Sequence, residues 1–161
     1  MNKLLLILIA GFSLGSYANS YGVTYNSWDI EGTRLDGIGL TLSGAGESII
    51  YDLDVFKLST SGVSATLNTL SLGYAFGEVS EGSFYAGILT AGSNISGTSR
   101  ESDVELGWVK RGAEGNQVKV GIVTDVDNTL LAEVQFDNGV EVGLISNDGD
   151  TLFRVGYGWK F

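Results

Sequence analysis

Large apolar residues alternate with small or charged ones along most of the chain, and the alternation is clearest at the C-terminal end. The large members of the final run are Phe153, Val155, Tyr157, Trp159 and Phe161. A period of two places them on one face of a β-strand and the intervening residues on the other. The pattern therefore predicts a last strand with one wholly apolar, largely aromatic face.

Runs of the same period recur about ten times, separated by turns rich in Gly, Asn and Asp. The shorter predicted connections are 44–47, 77–82, 112–115 and 137–139, and the longer ones are 28–36 and 92–103. In the fourth run, Val63 to Phe76, the apolar residues change from odd to even positions, which predicts a β-bulge near Asn68. The count favours ten strands, and eight remain possible if the first or fourth run is misread.

A triplet of glycine between two apolar residues recurs in phase with these runs. Its glycines are Gly73, Gly87, Gly107, Gly121, Gly143 and Gly156. If the apolar residues face outwards, each glycine faces the concave side of a narrow barrel, where space is limited. The triplets therefore favour a single closed sheet over an open one.

Residues 1–18 have the features of a secretory signal peptide. Lys3 gives a positive start, Leu4 to Phe12 an apolar core, and Ser16-Tyr17-Ala18 a small-x-small cleavage site. The apolar run is too short for a membrane-spanning helix. We expect residues 19–161 to form one domain after export.

Composition excludes several kinds of function. Without residues 1–18 the chain holds 8 basic and 19 acidic residues, a formal charge of −11, which disfavours nucleic acid as a partner. Cysteine and histidine are absent, so disulfides, thiol chemistry and the commonest general base and metal ligand are unavailable.

The signal peptide, the alternating strands and the ending Tyr157-Gly158-Trp159-Lys160-Phe161 resemble those of small bacterial outer-membrane β-barrels. The resemblance implies an all-β, antiparallel, up-and-down transmembrane barrel in the cell outer membrane. It also implies that Tyr157, Trp159 and Phe161 contribute to the signal read by the barrel-assembly machinery. Outer-membrane lipids and lipopolysaccharide are the other expected partners, and the oligomeric state is left open.

With both termini in the periplasm, the short connections become periplasmic and the longer ones external, the usual arrangement of these proteins. Most aromatic residues then lie near the periplasmic strand ends, as expected for an aromatic girdle. This set includes Tyr85. Trp28, Phe56 and Phe153 are assigned to the opposite girdle.

Charged residues on the predicted inward faces suggest how the lumen is filled. Our hypothesis is an ion-pair network formed by Asp52, Asp54, Glu105, Lys119, Glu133 and Arg154. The alternative is a selectivity lining of a narrow pore. Small barrels have interiors filled by side chains, which favours the plugged lumen.

Catalysis and a cofactor are not expected. Enzymes among small outer-membrane barrels, such as omptin-like proteases and lipid A palmitoyltransferases, rely on a histidine that this chain lacks. Asp52 and Asp54 lie on one strand face, which is a poor arrangement for an acid/base pair. The acidic segments 125–128 and 147–150 offer oxygen ligands for calcium, but Asp, Asn and Gly serve hairpin turns in the same way.

The sequence is compatible with three functions. The first is a structural or interaction barrel of the outer membrane with a largely plugged lumen. The second is a narrow transport pore, and the third is a soluble periplasmic β-sandwich or lipocalin-like binding protein whose aromatic residues form a core. Too many strands carry a wholly apolar face for the third to be preferred.

Overall fold

The computed structural model describes residues 20–30, 32–46, 48–94, 101–112, 116–124 and 128–160. Residues 1–18, the predicted signal peptide, and Phe161 lie outside the described residues. The strands are β1 Ser20–Ile30, β2 Thr33–Ala45, β3 Ile49–Thr60, β4 Val63–Ala75, β5 Ser83–Ser93, β6 Glu101–Arg111, β7 Gln117–Val123, β8 Thr129–Gln135, β9 Val140–Asn147 and β10 Asp150–Lys160.

Each strand pairs antiparallel with its neighbours in the sequence, and β1 also pairs with β10. The closing register runs from Ser20 opposite Lys160 to Asp29 opposite Thr151. The sheet is therefore a closed, up-and-down barrel of ten strands, which confirms the predicted fold class and excludes eight strands. We call the end with Ser20 and Lys160 the base and the opposite end the rim.

The strands extend further towards the rim than the turn signals suggested. The predicted connection 28–36 is wrong: β1 continues to Ile30 and β2 begins at Thr33. Likewise β5 continues to Ser93 and β6 begins at Glu101, within the predicted connection 92–103. Charged residues such as Arg34 and Asp36 occupy these extensions. These polar residues led to the prediction of a loop, although the backbone of β1 and β2 stays paired up to Ile30 and Thr33.

The predicted β-bulge near Asn68 is also wrong. The pairing of β3 with β4 runs without interruption from Ile49 opposite Tyr74 to Thr60 opposite Val63. From Ala65 to Ala75, the odd positions of β4 face the lumen, and Leu67 packs there against other apolar side chains near the rim. The apolar residues change from odd to even positions because the first of them, including Leu67, form an apolar patch inside the barrel. The strand itself contains no extra residue.

Side chains on the outer surface are predominantly apolar. Examples are Ile38, Leu40, Leu72, Ile88 and Leu130, which are between 54% and 69% exposed. Aromatic rings concentrate near the base on this surface, where Tyr21 stacks on Trp159 with ring centroids 5.6 Å apart. In the described part of the chain no helix is long and apolar enough to cross a membrane.

Three aromatic residues do not occupy their predicted girdle positions. Tyr85 is 2% exposed and Phe56 6% exposed. Trp28 packs against the buried apolar cluster that contains Phe56. All three face the lumen, whereas Phe153 faces outwards as predicted, with 45% of its surface exposed. The barrel interior therefore uses aromatic rings as filling.

Candidate functional site

Two apolar clusters occupy the lumen. The cluster near the base consists of Ala45, Ile50, Ala75, Val79, Tyr85 and Val109. The cluster near the rim is built on Leu35, Phe56, Leu58 and Leu152. Val79 belongs to the connection between β4 and β5, so this connection contributes a side chain to the lumen at the base.

Between the clusters lies a layer of charged side chains, which we call the charged layer. Its members are the six residues Asp52, Asp54, Glu105, Lys119, Glu133 and Arg154. Alternation along β3, β6, β7, β8 and β10 points all of them inwards, and the ion pairs below bring them together. The layer holds four carboxylates and two cations.

Lys119 on β7 contacts carboxylates from the neighbouring strand β6 and from the distant strand β3. Its Nζ forms an ion pair with Asp52 Oδ2 on β3 and lies 3.0 Å from Glu105 Oε1 on β6. Since β3 and β7 are four strands apart in the barrel order, the pair with Asp52 spans the lumen. Lys119 is 5% exposed and Glu105 is fully buried, so these charges interact with little screening by water.

Arg154 forms the second centre of the layer. Its Nη1 lies 2.8 Å from Asp54 Oδ1, and its Nη2 lies 2.9 Å from Glu133 Oε2. Thr69 donates a hydrogen bond of 3.2 Å to the other oxygen of Asp54. A Cβ atom at Gly143 would lie 3.1 Å from Arg154 Nε. The glycine in this triplet therefore leaves room for the guanidinium.

Tyr85 supports the carboxylate of Glu105. Its hydroxyl donates a hydrogen bond of 2.6 Å to Glu105 Oε1, and Ser71 donates to Oε2. The ring lies against glycines of the next strands: an added Cβ would be 2.7 Å from it at Gly107 and 2.8 Å from its hydroxyl at Gly121. Three of the recurring triplets, including that of Gly73, thus surround a single tyrosine.

Sequence reasoning missed two luminal residues of this region, Tyr85 and Arg111. Both lie at odd positions, in phase with inward-facing Glu105, so strand parity is the signal that could have identified them. Arg111 is 6% exposed, and among the described residues its three guanidinium nitrogens have no hydrogen-bond partner. Its backbone N–H donates to Val79 O at 2.9 Å, which ties the β4–β5 connection to β6.

A cavity of about 260 Å³ lies on the rim side of the charged layer. Asp52, Lys119, Glu133 and Arg154 line its floor, and apolar side chains form much of its wall.

Around the C-terminus, Tyr157 and Trp159 face outwards with 46% and 45% of their surface exposed. Their ring centroids are 5.2 Å apart in an edge-to-face arrangement. Phe161, the third predicted member of the assembly signal, lies outside the described residues.

The two acidic segments that could offer calcium ligands are only partly described. Residues 125–127 lie outside the described residues, and the segment from Asn147 to Asp150 forms the tight turn between β9 and β10, where Gly149 has a φ of 104°. Within the described ranges, no group of three or more acidic side chains converges as a metal site requires.

No protein-family model and no curated protein sequence matches this chain. Among solved structures it is similar to Neisserial surface protein A, with a TM-score of 0.36 and 10% identity over 89% of this chain and 95% of that one. It is also similar to Ail, the attachment invasion locus protein of Yersinia pestis, solved with the heparin analogue sucrose octasulfate. There the TM-score is 0.28, with 12% identity over 90% of this chain and 97% of Ail.

Both are small bacterial outer-membrane barrels. This chain has the same kind of fold. The strand pairing and the apolar outer face of this chain show that fold directly.

Proposed function

We propose that the protein is an integral outer-membrane β-barrel with a structural or interaction role, a lumen closed to ions and no catalytic activity. One observation carries the proposal: an apolar outer surface surrounds a lumen crossed by ion pairs. Bacterial outer-membrane barrels combine an apolar band outside with a polar inside, the reverse of a soluble protein.

The outer surface supports the membrane location. Outward side chains such as Val23, Leu40, Leu106 and Val120 are between 43% and 65% exposed, too large an apolar area for a soluble monomer. The strands have 7 to 13 residues, which brackets the roughly 9–11 residues that cross a bilayer when tilted. Closure of the sheet leaves no unpaired edge in lipid. A soluble carrier would require the same face to be a core.

The lumen supports the closed state. Lys119 and Arg154 each bridge carboxylates from different strands, with apolar clusters on both sides of them. Barrels with open aqueous channels have about 16 strands, and side chains fill much smaller ones. An ion crossing this barrel would have to displace several ion pairs.

The proposal includes export to the periplasm followed by assembly into the outer membrane. Residues 1–18 direct the chain to the periplasm and are then removed, and the assembly machinery recognises the ending with Tyr157, Trp159 and Phe161. The base then faces the periplasm and the rim faces outwards. Surrounding partners are outer-membrane lipids and lipopolysaccharide.

Cell fractionation and gel mobility test the location. We expect a band in the outer-membrane fraction that changes mobility when the sample is boiled, because a closed barrel resists detergent. N-terminal sequencing of this band should begin at Asn19. A soluble periplasmic band without a heat shift would contradict the proposal and favour a soluble binding protein.

Planar-bilayer conductance tests the closed lumen. We expect no steady openings from the purified protein, and short leaks from Arg154→Ala, which removes a large side chain from the charged layer. Lys160→Ala, which removes a cation at the base outside the layer, is the matched control. Steady, ion-selective openings from the unaltered protein would establish a narrow transport pore instead, particularly if Arg154→Ala changed their selectivity.

A further inference from the structure

The cavity on the rim side of the charged layer has no role in the closed-barrel function. It extends from the charged layer to the strand ends at Glu101 and Asp150. We propose that it binds a small amphipathic organic cation: a primary amine attached to an aromatic or branched apolar group. The charge of the lining and the apolar wall each support this ligand class.

The lining of the cavity is acidic. Its carboxylates are Asp52, Asp54, Glu101, Asp103, Glu133 and Asp150, and its cations are Lys119 and Arg154, a formal charge of −4. Each cation already contacts two carboxylates, so neither is available to an anionic ligand. An excess of carboxylates in a concave, poorly screened site attracts positive charge.

The wall accounts for the apolar part of the ligand. Trp28, Phe56, Leu67, Leu131 and Leu152 all line the cavity. Their surfaces favour an apolar group, and aromatic faces also attract cations. An apolar cavity of roughly 150 Å³ holds benzene, so about 260 Å³ accommodates a phenyl ring with a short aminoalkyl arm.

A divalent metal ion is a poorer occupant of this cavity. Within the part of the chain that the structure describes, no three acidic side chains converge on one point. The carboxylates are instead spread from the floor to the rim, and their ion pairs occupy part of the floor. This distribution suits a ligand with one charged end and an extended body.

Three probes of nearly equal size test the charge selectivity: 2-phenylethylamine, neutral 2-phenylethanol and anionic 3-phenylpropionate. Binding is measured by equilibrium dialysis of the folded protein in non-ionic micelles against protein-free micelles, which subtracts partitioning into detergent. We expect one equivalent of amine to bind. The amine should bind about tenfold more tightly than either other probe, the factor that one charge-assisted hydrogen bond provides.

Two variants test the location, each with a matched control. Ala91 faces the cavity, so Ala91→Phe should reduce amine binding at least about tenfold, whereas Ala86→Phe on the outer face of the same strand should not. Asp103→Asn removes a lining charge and should weaken binding several-fold. Asp137→Asn, at the exposed turn near the base, should leave it unchanged. A heat-shift gel verifies that each barrel is folded.

Equal binding of the three probes, absence of binding, or binding that survives Ala91→Phe would overturn the proposal. If Ala91→Phe does not fold, probe selectivity and Asp103→Asn still decide. The proposal goes beyond the closed-barrel function, and the two fail separately: membrane location and conductance are measured without the amine, whereas amine binding is measured on the purified barrel.

Discussion

Lys119→Met tests the charged layer most directly, because it keeps the length of the side chain and removes one cation. Lys119 Nζ lies 3.0 Å from Glu105 Oε1 and also pairs with Asp52. At an effective dielectric constant of about 20, one pair at this distance attracts by about 5 kcal/mol before desolvation is subtracted. Removing one partner of a buried ion pair typically costs about 3–5 kcal/mol, because the other charge stays buried.

We therefore expect Lys119→Met to lower the free energy of unfolding by about 3–5 kcal/mol. The measurement is urea unfolding and refolding in lipid vesicles, followed by gel mobility and tryptophan fluorescence. Lys110→Met makes the same change at an exposed position of β6 and should cost less than about 0.5 kcal/mol.

The double variant Lys119→Met with Asp52→Asn removes both partners and should recover part of the loss. If Lys119→Met is no more destabilising than Lys110→Met, the ion pairs contribute nothing to stability. They would then not be what holds the lumen closed.

Three further predictions concern the lumen and assembly. Tyr85→Phe removes the 2.6 Å hydrogen bond to buried Glu105 and should lower the free energy of unfolding by about 1.5–3 kcal/mol. Tyr157→Phe on the outer surface is the control. An equal loss of stability in both variants would contradict the role of the Tyr85 hydroxyl in supporting Glu105. Gly121→Ala places a methyl group 2.8 Å from the Tyr85 hydroxyl. The overpacking should lower the free energy of unfolding by about 1–3 kcal/mol in the same assay. An unchanged stability would show that the ring of Tyr85 moves aside freely. Deleting Phe161 should reduce the heat-shifted barrel in the outer membrane of cells several-fold while purified chain still refolds in detergent; equal loss in both assays would indicate a structural role instead.

Alternation and turn residues were sufficient to predict the strand number and the closed topology. The same alternation predicted that the glycines of the triplets face inwards, because the apolar residues on both sides of each glycine face outwards. The rim extensions of β1 and β2 were missed because Asp29, Arg34 and Asp36 resemble loop residues, although outward polar side chains are compatible with paired strands.

The luminal site was only partly predictable. The alternation of side chains along each strand predicted that the charges face inwards, but it does not predict which of them form ion pairs. Lys119 and Asp52, for example, are 67 residues apart. Whether they meet depends on how the strands are staggered in the closed sheet. Tyr85, Trp28 and Phe56 were assigned to girdles because aromatic residues favour membrane boundaries. The need to fill the lumen outweighed that preference.

The residues of the charged layer also affect the behaviour of the chain before the barrel forms. Arg154 lies on the last strand, which closes the barrel against β1, so Asp54 on β3 meets this cation only at closure. Until then the carboxylates of the layer are hydrated, and with the formal charge of −11 for residues 19–161 they repel other copies of the chain. If the chain is exported as proposed, the side chains that close the lumen also oppose aggregation of the unassembled polypeptide in the periplasm.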